Sequence, residues 1–138
     1  MIRNRYEHPN MTGVTLNYNR NLAVKDGLTY RSTGSESAWI NFVPMDATKM
    51  AVGMVHVMHA TGTFTYAPGP WKNLLTRDDW IATLVTTPDA QSLWISNGNS
   101  VTIDRMAVYT PDDWQRVLAM WEQGLLDGPW FDGSLRPA

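Results

Sequence analysis

The strand and helix encoded by residues 100–133 constrain the fold more than any other part of the chain. Residues 100–109 alternate as a strand does, so one side is expected to carry Val101, Ile103, Arg105 and Ala107 and the other side Thr102, Asp104, Met106 and Val108. A helix follows this strand without a linker. The strand therefore needs a sheet to lie in, and the helix needs an apolar surface at the edge or end of that sheet.

The second piece of this stretch carries the signals of a capped helix over residues 111–123. Thr110 is a favoured N-cap residue, and Pro111 stands at the first helical position, where its missing N–H costs nothing. Asp112 lies beside the positive end of the helix dipole, and Gly124 favours a C-terminal stop. The apolar face that we expect to pack inward consists of Trp114, Val117, Leu118, Trp121 and Leu125.

The chain before this stretch is a series of short strands separated by Gly, Pro, Asn and Asp turns. Asp26 and Gly27 are a strong signal for a tight hairpin, and the apolar residues 50–59 are typical of a central strand covered on both faces. Residues 71–79, which follow a Pro-Gly-Pro break, are expected to form a long loop. Together these features predict an all-β protein, a jelly-roll-like antiparallel β-sandwich with one short C-terminal helix.

A length of 138 residues suits one domain of ordinary size. Residues 1–12 hold too few apolar side chains for a core element, and we expect them to form an extended N-terminal arm. Residues 13–138 then make up a single β-sandwich domain that includes the helix at 111–123.

The composition excludes several classes of protein. The net charge is −2 and the basic residues are scattered, which argues against nucleic acid as a partner. The absence of cysteine excludes disulfide frameworks, thiolate metal sites and cysteine nucleophiles. No stretch approaches the roughly 20 apolar residues of a membrane-spanning helix, so no membrane association is expected. The N-terminus lacks the apolar run of a signal peptide, and release within a virus particle is one route to a role outside the cell.

No motif predicts catalysis. The strained Gly-x-Ser-x-Gly turn of a serine nucleophile is absent, and the pairs Asp78-Asp79 and Asp112-Asp113 are adjacent residues that point apart. His56 and His59 lie among methionines in a pattern that Cu(I) favours, but we favour the interpretation that the methionines fill a sandwich interior and the histidines are ordinary strand residues. Asp104 alone is too little for a Ca²⁺ site. We therefore expect no enzyme activity, no cofactor and no bound metal.

Carbohydrate binding is the chemistry that the residue types favour. The chain has seven tryptophans, of which most are expected to anchor the core and one or two to be exposed. An exposed aromatic ring stacks on the C–H face of a pyranose, while neighbouring amide side chains bind the hydroxyl groups. The candidate platform for a glycan consists of Trp71, Trp94, Tyr66, Asn41 and Asn97.

Short motifs at the two ends of the chain resemble those of a known family. Residues 4–11 read Asn-Arg-Tyr-Glu-His-Pro-Asn-Met and partly match an Asn-x-x-x-Asn-Pro-x-Phe pattern, with departures at His8 and Met11. A strand carrying Asp104, the Thr-x-x-x-Trp of residues 110–114 and the Trp-Phe-Asp-Gly of residues 130–133 form the second set. These motifs resemble the β-sandwich modules of minor tail proteins from phages that infect actinobacteria.

The resemblance implies a jelly-roll sandwich akin to carbohydrate-binding modules, with a structural or receptor-facing role in a virion and no catalysis. We expect assembly in the host cytoplasm and a location in the phage particle, with other tail or capsid proteins and further copies of the chain, as a homo-oligomer, for partners. Cell-surface carbohydrate is a further expected partner. Two alternatives stay open, a free-standing carbohydrate-binding module and a glycan-active enzyme. The candidate assembly residues are Arg3, Arg5, Tyr6, Trp114, Trp121, Trp130 and Phe131.

Overall fold

The protein is a sandwich of two antiparallel β-sheets with one helix near the C-terminus, which confirms the fold class expected from the sequence. The computed structural model describes residues 2–6, 9–42, 51–66 and 70–135. The elements in chain order are β1 (Ile2–Arg3), β2 (Asn17–Tyr18), β3 (Ala23–Asp26), β4 (Thr29–Ser32), β5 (Ala38–Phe42), β6 (Val55–Gly62), β7 (Thr65–Tyr66), β8 (Lys72–Arg77), β9 (Trp80–Leu84), β10 (Gln91–Ile95), β11 (Ser100–Tyr109), α1 (Pro111–Glu122) and β12 (Ser134–Leu135).

The strand order is that of a long hairpin folded over on itself. One sheet has the order β2-β5-β10-β7 and the other has the order β3-β4-β11-β6-β9-β8, while β1 pairs with β12. The pairs β4 with β11, β5 with β10 and β6 with β9 are nested along the chain, and successive pairs lie in alternate sheets. This nesting is the jelly-roll arrangement.

The hairpin signal at Asp26 and Gly27 is confirmed by β3 and β4, which pair from Ala23 to Ser32. Gly27 has φ of +61°, as the first central residue of a type II′ turn requires. The apolar segment predicted as a central strand is β6, which lies between β11 and β9 and is buried on both faces from Val55 to Met58. Met50, where the predicted strand begins, lies outside the described residues.

The prediction of a long loop at residues 71–79 is wrong, because most of that segment is the strand β8, which forms a hairpin with β9. Asp78 and Asp79 form the turn with φ of +53° and +67°, the left-handed pair that a type I′ turn needs. Asp tolerates this conformation better than most residues. A register shift between Asn73 and Leu75 interrupts the side-chain alternation that marks a strand in a sequence.

Two hydrophobic cores lie on opposite faces of the six-stranded sheet. The first fills the space between the sheets, where Met58, Met106 and Val108 meet side chains of the four-stranded sheet such as Phe42 and Leu93. The second core lies beneath α1 and the C-terminal segment, and it joins sheet residues to helix and loop residues: Val57, Ala82, Ala107, Tyr109, Trp114, Val117 and Phe131.

The helix starts as the sequence predicts. The Thr110 side chain accepts a hydrogen bond from Asp113 N at 3.2 Å, and Pro111 is the first helical residue. Trp114 and Val117 are buried against the sheet, whereas Trp121 is half-buried at the end of the helix. No helix in the described part of the chain is long and apolar enough to cross a membrane.

The described part of the expected arm, residues 2–6 and 9–12, lies against the sandwich rather than extending away from it. Ile2 is fully buried, and Pro9 O accepts a hydrogen bond from Met106 N at 2.9 Å. Asn4 is 4% exposed, and its Nδ2 donates to Phe131 O at 2.9 Å and to Met106 O at 3.2 Å. Its Oδ1 accepts from Val108 N at 3.1 Å. These hydrogen bonds and the buried side chains of Ile2 and Met11, which belong to the two cores, hold this segment in place.

Replacing Asn4 by Ala should lower the free energy of unfolding by about 2–4 kcal/mol, because buried backbone groups of β11 and the C-terminal segment lose their partner. Urea unfolding would measure the loss. Asn10→Ala is the matched control, since the Asn10 side chain is exposed, accepts from the nearby Thr12 N at 3.1 Å, and should change stability by less than about 1 kcal/mol when removed. Equal effects of the two substitutions would contradict the role given to Asn4.

Alanine substitutions of Trp114 and Trp121 test how α1 is held on the sheet. Trp114→Ala removes a side chain that is 3% exposed, and it should cost about 3–5 kcal/mol in unfolding free energy. Trp121→Ala should cost less, about 1–2 kcal/mol, because its ring is only half-buried and lies near the Arg77 guanidinium at 5.0 Å. A larger loss of unfolding free energy for Trp121→Ala than for Trp114→Ala would show that Trp121, and not Trp114, is the side chain that anchors the helix on the sheet.

Candidate functional site

The outer face of the four-stranded sheet carries two tryptophans that lie opposite each other on neighbouring strands. β5 and β10 alternate strictly, so Ile40 and Leu93 point into the core between the sheets. Trp39 and Trp94 therefore point outward, and both are half-buried. Their Cα atoms are register partners, which places the two side chains about 5 Å apart at Cβ.

A row of polar side chains lies next to this tryptophan pair. Asn41 is the register partner of Ser92 on one side and of Asn17 on the other, and Thr65 is the partner of Trp94. Ser92 Oγ donates to Asn41 Oδ1 at 2.6 Å. That hydrogen bond orients the Asn41 amide and leaves its NH₂ group to donate elsewhere.

This arrangement, which we call the Trp39–Trp94 face, combines two aromatic rings with amide and hydroxyl groups. It consists of Asn17, Trp39, Asn41, Thr65, Ser92 and Trp94. None of these side chains is charged. The face can therefore contact a ligand that presents both C–H surface and neutral hydroxyl groups.

Two of the five residues predicted for a glycan platform, Trp94 and Asn41, are brought together on this face. The other four residues of the face were not among the predicted site residues: Asn17, Trp39, Thr65 and Ser92. The alternation within residues 38–42 marks Trp39 as opposite to Ile40 and Phe42. The pairing of β5 with β10, which brings Trp39 to Trp94, has no signal in the local sequence.

Trp71 does not belong to an exposed platform, so that expectation is wrong. Its side chain is 2% exposed, its Nε1 donates to Asp89 O at 2.9 Å, and its ring meets the edge of the His56 ring with centroids 5.8 Å apart. The backbone N of Trp71 donates to the buried Gln91 Oε1 at 3.1 Å. Both N–H groups are thus satisfied inside the sandwich, which makes burial of the indole favourable.

Tyr66 and Asn97 also lie away from the Trp39–Trp94 face. Tyr66 is half-buried, its hydroxyl is 3.1 Å from Thr83 Oγ1, and burial raises its pKa to about 12. Its ring packs edge-on against Phe42 of the inter-sheet core. Asn97 is exposed in the turn between β10 and β11, where its φ is +57°.

The residues predicted for assembly contribute largely to the protein's own fold. Trp114 and Phe131 are buried in the second core and contact Tyr109, whose ring centroid is 6.5 Å and 5.8 Å from theirs. Trp130 Nε1 donates to Met106 O at 3.0 Å and to Pro9 O at 3.1 Å. These side chains therefore hold the C-terminal segment on the sheet.

The other predicted assembly residues differ in exposure. Tyr6 is half-buried and packs against the inter-sheet core. Arg3 is exposed, and Arg5 is half-buried with a buried Nε atom. Trp121 lies half-buried beside Arg77.

The two histidines of β6 lie on opposite faces of the sheet and do not share a site. His56 is fully buried in the core between the sheets, and neither ring nitrogen has a hydrogen-bond partner within the described ranges. Desolvation by this burial lowers the pKa of His56 to about 3. His59 points the other way, and its Nδ1 is 2.7 Å from Asp104 Oδ1. Among the described residues, no group of three His, Cys, Asp or Glu side chains could hold a metal ion.

No model of a known protein family matches the sequence, and no curated protein or solved structure is significantly similar to it.

The buried His56 should make stability depend on pH. Because its pKa is lowered from 6.5 to about 3 on folding, the unfolded chain binds the proton and the folded chain does not between these values. The contribution of the neutral His56 to the free energy of unfolding is fully present above pH 6.5. It should fall by about 1.4 kcal/mol per pH unit as the pH drops toward 3. Urea unfolding of the wild type and of His56→Leu at pH 7 and pH 5 tests this.

The variant should lose less stability than the wild type between the two pH values. Parallel losses in both proteins would show that His56 does not titrate on unfolding.

Proposed function

We propose that this chain is a non-catalytic β-sandwich protein of a phage virion that binds neutral host-surface polysaccharide through the Trp39–Trp94 face. The observation that carries the binding part is the cross-strand pair of outward-facing tryptophans beside Asn41 and Ser92. The virion part rests on the motifs at the two ends of the chain, which resemble phage minor tail modules.

The chemistry of the face fits a polysaccharide chain that runs across the strands. The Cβ atoms of Trp39 and Trp94 are about 5 Å apart, so their indoles can stack on neighbouring sugar rings. Asn41 can donate from its NH₂ group, and Asn17 and Thr65 add exposed polar groups at the two sides. None of the six described side chains of the face is a cation that could pair with a uronic or sialic acid, which supports a neutral ligand.

The motifs that carry the resemblance form one contiguous unit in space, and this supports treating them as parts of one module. Asn4 of the first motif bonds to Phe131 O of the last, and Trp130 bonds to Pro9 O. Arg3 N lies 3.5 Å from Asp113 Oδ2 in the first turn of α1. In a virion, the partners of this module would be other tail or capsid proteins and further copies of the chain.

A free-standing carbohydrate-binding module is the second candidate, and one observation favours it. Trp114 and Phe131, expected at an assembly interface, are buried within the protein itself. Light scattering of the purified chain separates the two candidates, since a stable oligomer supports the virion role and a monomer supports the free-standing module. Both candidates use the same binding face.

Trp39→Ala and Trp94→Ala should each weaken binding to neutral polysaccharide at least about tenfold, because each removes one stacking surface. A glycan array of neutral, acidic and amino sugars would identify the ligand, and isolated actinobacterial cell walls would serve as a second probe. Trp121→Ala is the matched control, since that half-buried indole lies on the helix at the other sheet and should leave binding unchanged.

The proposal fails if the wild type binds neither probe, or if the Trp94→Ala protein, shown to be folded by circular dichroism, binds as well as the wild type.

A further inference from the structure

A pocket on the six-stranded sheet, away from the Trp39–Trp94 face, has walls of a different chemical character. It has a volume of about 410 Å³ and opens between the sheet and the loop that follows α1. This volume lies within the usual range for small-molecule sites. The residues that line the pocket include Trp80, Arg105, Asp127, Gly128, Trp130 and Asp132.

Trp80 gives the pocket a rigid side. It is 4% exposed, and Gly128 lies so close to its indole that an added Cβ would come within 2.5 Å of two ring carbons. The ring of His59 packs against Trp80 with centroids 4.8 Å apart, and His59 is itself held by Asp104. The loop can therefore approach the sheet here only because residue 128 has no side chain.

Arg105 and Trp130 form the second side. A register shift between Ile103 and Arg105 accompanies the pairing of Arg105 with His59 on this outer face. The Arg105 guanidinium lies 5.1 Å from the centroid of the Trp130 ring. The hydrogen bonds of Trp130 Nε1 to Met106 O and Pro9 O fix the ring that lies beside the Arg105 cation.

Two carboxylates complete the lining. Asp127 and Asp132 lie in the loop on either side of Gly128, and both are exposed. Among the residues that the structure describes, the charged groups that line the pocket are one guanidinium and two carboxylates, which gives this lining a net negative charge. The exposed Leu125, 55% accessible, adds apolar surface at the same place.

We propose that this pocket binds a single amino-sugar unit, with its ammonium group paired to Asp127 or Asp132 and its hydroxyl oxygens accepting from Arg105. A simple amine would leave the Arg105 donors unused. A neutral hexose would leave the excess carboxylate charge without a partner, and a uronic acid would add to it. The site does not depend on the function proposed above, because it lies on the other sheet and uses none of the same residues.

Glucosamine is the probe for the experiment, compared with glucose, N-acetylglucosamine and glucuronic acid. Tryptophan fluorescence or amide NMR shifts of the full chain should show saturable binding of glucosamine, weaker binding of glucose and N-acetylglucosamine, and none of glucuronic acid. Asp127→Asn combined with Asp132→Asn should weaken glucosamine binding at least about tenfold, and Arg105→Ala should weaken it as well. These side chains are exposed, so the variants should fold.

Trp94→Ala is the matched control and should leave glucosamine binding unchanged. The proposal is overturned if glucosamine shows no saturable binding up to about 10 mM, an affinity too weak for a specific site. It is equally overturned if the aspartate variants bind glucosamine as the wild type does, or if Trp94→Ala abolishes that binding. A negative result with glucosamine would not affect the proposal for the Trp39–Trp94 face, because the polysaccharide experiment tests that face separately.

Discussion

Both hydrophobic cores depend on the pairing of β11 with β6 at the centre of the six-stranded sheet. Met106 and Val108 of β11 point into the space between the sheets, while Ala107 and Tyr109 point toward α1. β6 follows the same alternation and is buried on both faces over most of its length. A slip of one residue in this register would exchange the two sets of side chains between the cores. The sheet is therefore held in register from both sides.

The chain ends are tied to this central strand by buried polar contacts. Asn4 bridges Val108 N, Met106 O and Phe131 O, and Trp130 reaches Met106 O from the C-terminal segment. Backbone N–H and C=O groups are costly to bury without hydrogen-bond partners. Here the side chains of Asn4 and Trp130 are the partners of buried backbone groups of β11. The aromatic residues near the C-terminus consequently stabilise the fold of the chain itself. The two surfaces that we propose for ligands are the Trp39–Trp94 face and the pocket beside Arg105.

The candidate site was only partly readable from the sequence. Trp94 and Asn41 were predicted because an aromatic ring and an amide suit a sugar, and the structure places them on one face. Trp71 fitted the same argument but is buried, because Asp89 O and Gln91 Oε1 satisfy its N–H groups inside the sandwich. Residue type alone does not distinguish these two tryptophans. Their difference lies in contacts with segments some twenty residues away or more, which no local pattern reports.

The sequence by itself determined the features that arise from interactions between near neighbours. The strand character of β11, the Thr110 cap of α1 and the Gly27 turn are all set within a few residues, so their signals are local. The continuous alternation expected over residues 100–109 is wrong, because the register shift between Ile103 and Arg105 puts Val101 and Ile103 in the same core as Met106 and Val108. Only the tertiary structure decided which strands pair and which faces are covered. The meeting of Trp39 with Trp94, the packing of Gly128 on Trp80 and the docking of Asn4 on β11 join distant segments, because the sheets bring together residues that the chain keeps apart.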